Sequence, residues 1–226
     1  MSKKKTQQED ELQNVEEALS KSEQFIKKYQ KQLLYSALAV LVVVVGIVTY
    51  SNKVVAPRNI EAADQITSAV RYFEQDSFAL ALNGDGANYG FADVVSEFGS
   101  SKSAKLAAYY AGICEYNLGN FQSAIDYLKK FTASSVNATP AAITLIGDCY
   151  VSLEDYSKAV TYFEKAAKEE NSLTAPRALS KAGICYEELG QWAKAEKCYQ
   201  TIKTKYFDSQ LAMDMDKRIE RCQLNK

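Results

Sequence analysis

Three short stretches, Ala111-Gly112-Ile113-Cys114, Ile146-Gly147-Asp148-Cys149 and Ala182-Gly183-Ile184-Cys185, set their glycines 35 and then 36 residues apart. The same grammar follows each of them. Seven residues after the glycine come Gly119, Glu154 and Gly190, and two further on stand Phe121, Tyr156 and Trp192. Then come Ala124, Ala159 and Ala195, and finally Leu128, Phe163 and Tyr199. A self-match at this period leaves few folds open, because each unit is too small to bury its own apolar face and must stack on its neighbours.

These slots resemble the tetratricopeptide repeat (TPR) from about Ser103 to Tyr206, with some eight positions agreeing in each copy. In that motif a small residue lets two helices touch, a glycine turns the chain, and an alanine and a large apolar residue pack the second helix. Glu154 departs from it at the turn, and Glu115 stands where the other copies have Tyr150 and Tyr186. Pro140 and Pro176 fit the first turns of their helices, where a missing N–H costs nothing. Asn120 and Asp155 are expected to cap second helices, and Asp208 a final helix with the stripe Leu211, Met215, Ile219 and Cys222. The reading is all-α: one N-terminal transmembrane helix, then a TPR solenoid of three repeats, an irregular opening unit and a capping helix.

The opening unit shows a helical stripe at Ile60, Ala63, Ile66, Val70 and Phe73, and a second helix at residues 91–98. Between them, residues 83–90 resemble a calcium loop only in spacing: the twelfth position from Asn83 is Val94, where an EF-hand needs a bidentate Glu. The expected layout is residues 1–31 as an amphipathic, coiled-coil-like helix, 32–52 as the transmembrane helix, and 53–102 as opening helices and loop. Residues 103–207 make the repeats and 208–226 the cap.

From Leu33 through Leu41 and Gly46 to Tyr50 and Ser51 the chain has no charge, and at about 1.5 Å per residue a helix of this length nearly matches a hydrocarbon core of about 30 Å. A cleaved signal peptide would be shorter, closer to the start and followed by a small-x-small site, whereas Val54-Val55-Ala56 runs straight into Pro57. Lys21, Lys27, Lys28 and Lys31 precede the segment, and only Lys53 and Arg58 adjoin it afterwards. The bias predicts a single pass with a cytoplasmic N-terminus and, in a bacterium, an inner-membrane anchor carrying periplasmic repeats. Before the membrane, Leu12, Val15, Leu19, Ser22, Ile26, Tyr29 and Leu33 form one helical stripe, which suits either a docking helix or a leader that sets topology.

The chain has no histidine, the commonest general base and metal ligand, so no catalytic, cofactor or metal site is expected. Cys114, Cys149 and Cys185 share one repeat slot and read as small core residues, with a Cys198–Cys222 bridge the one conceivable disulfide. No basic cluster with interleaved aromatics is present, which excludes nucleic acid as a partner.

The inward face of such an array is lined by exposed first-helix positions. These are Leu106, Tyr109, Ile113, Tyr116 and Asn117, then Ala141, Thr144, Asp148, Val151 and Ser152, then Arg177, Ser180, Ile184, Glu187 and Glu188. The stripe is aromatic and apolar at one end and acidic at the other, so it suits a peptide of apolar and basic character. Part of it could instead pack on the opening unit or the cap.

Residues 80–131 and the overall layout resemble the ancillary SecYEG translocon subunit (YfgM-like) family. That resemblance implies a scaffold or holdase beside the protein-conducting channel. Its partners would be channel subunits, a membrane-anchored periplasmic chaperone of the prolyl-isomerase type and exported polypeptides, with a homodimer left open. A scaffold for another cell-envelope or cell-division complex uses the same features.

Overall fold

A computed structural model describes residues 27–226 apart from 33, 37, 100, 132–137, 170 and 171. All regular structure among them is helical, and the chain divides into two compact units, Met1–Ala56 and Pro57–Lys226. In the first unit, the helix described from Lys27 onward is long and apolar enough to cross a membrane, with mean hydropathy 2.4 over its most apolar 18 residues. Leu41 and Tyr50 lie exposed on it, and a Cβ on Gly46 would meet nothing within 4 Å. Leu33 and the stripe before Lys27 lie outside the described residues. The apolar run ends in a π-helical turn, Ser51–Val55.

From Pro57 the second unit continues α1 (Ala56–Glu74) and adds α2 (Phe78–Asn83) and α3 (Phe91–Phe98), which share a core with the first repeat helix, α4 (Lys102–Asn117). Phe73 and Phe91 both meet the ring of Tyr110 on α4, at 5.0 and 5.3 Å between centroids. The N-terminus of α4 is capped twice, once locally and once from afar. Ser101 Oγ accepts from Ala104 N at 2.9 Å, and Asn59 Oδ1 on α1 accepts from Lys102 N at 3.0 Å. The buried stripe of α1 runs through Ala62 and Ala69, flanked by Ile66, Val70 and Phe73, while Ile60 and Ala63 face outward. The expected stripe is thus rotated, because small alanines, not the larger Ile60, allow the close approach. The loop that resembled a calcium site spends its carboxylate internally: Asp85 accepts from Tyr72 OH and from the backbone N–H groups of Ala87 and Asn88.

Three helix pairs follow: α4 with α5 (Phe121–Lys130), α6 (Ala138–Ser152) with α7 (Tyr156–Ala167), and α8 (Ala175–Glu188) with α9 (Trp192–Lys205). The repeated glycines mark where the partners touch. A Cβ on Gly112, Gly147 or Gly183 would lie 2.5, 2.5 or 2.4 Å from Leu128, Phe163 or Tyr199, the large residue sixteen positions on. Cys114, Cys149 and Cys185 are buried beside these contacts and carry no disulfide, and burial raises their thiols to about 12, 12 and 11. Cys198 and Cys222 are likewise free and buried.

Each first helix ends in the same three-bond turn. In the first copy Leu118 N bonds Cys114 O, Gly119 N bonds Tyr116 O and Asn120 N bonds Glu115 O, and the other two copies repeat the pattern. This is a Schellman ending, with the turn residue in the left-handed region. Gly119 and Gly190 hold φ of 81° and 67° there, and Glu154 is forced to 58°. A side chain in that conformation costs about 1–2 kcal/mol, partly offset by the greater unfolded-state freedom of glycine. Glu154→Gly is therefore expected to raise stability by about 0.5–1 kcal/mol in thermal or denaturant melts; an unchanged or lower midpoint would contradict this account.

Two caps differ from expectation. Asp155 accepts from Lys158 N at 3.1 Å, as a cap should, but the Asn120 side chain turns away and donates to Glu115 at 2.8 Å. Glu115 is buried in the slot that holds Tyr in the other copies, and its carboxylate needs a donor more than the helix end does. At the C-terminus Ser209, not Asp208, accepts from Leu211 N to start a 3-10 turn, Gln210–Asp214. Helix α10 (Met215–Leu224) begins only after it and buries Met215 and Cys222 against α9.

Candidate functional site

The first helices α4, α6 and α8 stand side by side, so their exposed faces form one surface. A cleft of about 290 Å³ opens between them, lined by Tyr109 and Ile113 of α4, Ala141, Thr144, Leu145 and Asp148 of α6, and Thr174, Arg177 and Lys181 at and on α8. Residues of the cleft come from all three repeats because positions four apart on a helix lie one above the other.

The apolar wall is firm. The Tyr109 ring sits 5.1 Å from that of Phe131 and 5.7 Å from that of Tyr110, and burial raises its phenol above the ordinary value. On the opposite side, Lys181 Nζ donates to both oxygens of Asp148 at 2.6 Å. Burial nevertheless raises the Asp148 carboxyl above its ordinary value, outweighing the lowering by Lys181. Desolvation outweighs pairing at the largely covered Asp148 carboxylate, while the Lys181 side chain stays partly exposed. Arg177 has no hydrogen bond or ion pair with any described residue, and it also lines a second recess of about 580 Å³ with Leu173, Asp208, Gln210, Leu211 and Asp214.

Repeat models of the tetratricopeptide class match residues 106–135, 140–172 and 177–209. The chain carries three tetratricopeptide repeats. Solved structures share its fold. Nearly identical TPR-like repeats of the kinesin light chain type from Podosopora anserina superpose with a TM-score of 0.57 at 13% identity, covering 74% of this chain and 87% of theirs. The MamA protein superposes at 0.54 with 16% identity, covering 73% and 91%. No curated protein matches the chain.

Within the TPR array, the expected groove residues divide into three groups. Tyr109, Ile113, Thr144, Asp148 and Arg177 come together in the cleft. Leu106, Asn117, Ile184 and Glu188 are exposed, and Tyr116 and Val151 half-buried, on the same helices but outside its lining. Glu187 is different: its carboxylate accepts from Tyr199 OH at 2.6 Å and pairs with Arg221 of α10. The cap therefore takes the acid that was expected to meet a ligand, and the face is less acidic than the sequence suggests. Lys181 escaped the sequence reading although it lies one turn beyond Arg177 on the same face, a spacing that could have revealed it.

Proposed function

We propose that this protein is a membrane-anchored TPR scaffold whose cleft between α4, α6 and α8 binds other polypeptides. The observation that carries the reading is that Tyr109, Ile113, Thr144, Asp148 and Arg177, drawn from three repeats, line one cleft. The uncharged helix supports single-pass anchoring, and the lysines before it support a cytoplasmic N-terminus with the repeats in the periplasm. In the finer reading, resting on the resemblance of residues 80–131, the scaffold is an ancillary factor of the Sec translocon that assists exported proteins together with a periplasmic chaperone.

The test places a photo-reactive side chain at Ile113 or, as a control, at Thr161, which is exposed on the second helix α7. Irradiation of the full-length protein in cells is expected to trap polypeptides at Ile113 and not at Thr161. Channel subunits and a periplasmic chaperone recovered on the tagged protein would support the export role. Other envelope proteins alone would sink that role, and equal trapping at both positions would sink the cleft.

A further inference from the structure

The charges around the cleft do not balance. Asp148 is already paired with Lys181, which donates to both of its oxygens, and the pair is self-neutral. Glu187 is consumed by Tyr199 and Arg221. Glu188 is at the far end of α8, eleven residues from Arg177 and so about 16 Å along the axis. Arg177 is left as the cation facing the cleft, with no hydrogen-bond or ion-pair partner among the described residues. Asp208 and Asp214 line the recess on its far side, and neither forms an ion pair with it. A guanidinium beside an apolar wall recognises a carboxylate with two parallel hydrogen bonds.

We propose that this cleft binds an internal segment of a partner polypeptide carrying a large apolar side chain and, close to it in sequence, an acidic one. The apolar group would rest on Tyr109, Ile113 and Leu145, and the carboxylate would meet Arg177. The segment is internal because Arg177 lines both the cleft and the larger recess, so the two adjoin at this residue and a chain can run from one into the other. Within the cleft itself a basic segment meets only Asp148, already bound to Lys181, whereas Asp208 and Asp214 lie in the adjoining recess. The inference deepens the cleft reading and depends on it.

The test uses the full-length protein in mild detergent and fluorescently labelled peptides of roughly 12 residues, acetylated and amidated to remove terminal charge. They share one apolar sequence and differ in carrying Glu, Gln or Lys at the central position, and a further Gln peptide keeps a free C-terminal carboxylate. The Glu peptide is expected to bind at least about tenfold more tightly than the Lys peptide, a preference weakened by salt. Arg177→Glu is expected to reverse the order and Arg177→Lys to keep it, with unchanged melting curves since the residue is exposed. Preference for the Lys peptide, or a Glu peptide indifferent to Arg177→Glu, overturns the acidic specificity while photo-trapping at Ile113 still upholds the cleft. Tight binding of only the free-carboxylate peptide overturns the internal segment, and a cleft closed by self-association of the protein overturns the proposal. Loss of all trapping at Ile113 removes the cleft reading itself.

Discussion

Replacing Phe163 by alanine is expected to cost about 3–5 kcal/mol, the usual range for deleting a fully buried aromatic. In a folded unit of this size that lowers the melting midpoint by about 10 °C, read by circular dichroism on the full-length protein in detergent. Phe163 fills the space that Gly147 leaves, its ring 2.5 Å from where a Cβ would be. Gly147→Ala tests the same contact from the other side, with two effects opposed. Alanine gains about 1 kcal/mol of helix propensity, but a fully buried ring cannot retreat, and overpacking costs about 1–3 kcal/mol. The clash wins, so a net loss is expected. Combined with Phe163→Leu, Gly147→Ala should cost less than the two changes summed, because the smaller side chain makes room. Additive losses, or a Phe163→Ala cost below 1 kcal/mol, would show that the helices are not held at this contact.

The repeat contacts were readable because both members of each sit in one copy at a fixed offset, as Gly112 with Leu128 or Gly183 with Tyr199. Their periodic recurrence turns a weak local preference into a strong signal. Side chains whose partners are chosen over longer distances were not readable in this way. Glu187 looks like a groove residue by its helical position, and only the seating of α10 brings Arg221, 34 residues later, onto its carboxylate. Asn120 looks like a cap until the buried Glu115 in the neighbouring helix competes for its amide. The rotation of α1 belongs to the same class, since nothing in residues 56–74 says that Ala62 and Ala69 will lie under Phe91 and α4. Of the cleft, the stripe was legible as a stripe; what narrows it to nine lining residues is the stacking of three helices and the neutralisation of Asp148 by Lys181.

That stacking has an end, and the end carries the second large effect. Helix α10 covers α9 with Met215 and Cys222, and its charged side chains reach across: Lys226 and Gln223 bond the buried Glu196, Arg221 pairs with Glu187 and Lys203 pairs with Asp216. A chain truncated after Phe207 would expose Cys198, Tyr199 and Ile202 and leave Glu196 and Glu187 without their cationic partners. In a linear array each repeat is stabilised mainly by its neighbours, so the loss should fall on the third repeat and fade toward the first. Hydrogen exchange is expected to lose most of its protection in α8 and α9 and little in α4 and α5; uniform loss would mean the array melts as one unit. Acid reports on the same joint. The Glu196 carboxyl is held below its ordinary value of 4.5, first by Lys226 and then by Gln223, so its contribution is complete above that value and fades as pH falls through the lowered one. Protection of α9 should therefore decline below about pH 4.5 in the intact chain, and Glu196→Gln should flatten that decline. An unchanged acid profile in Glu196→Gln would detach the cap's stability from this carboxylate.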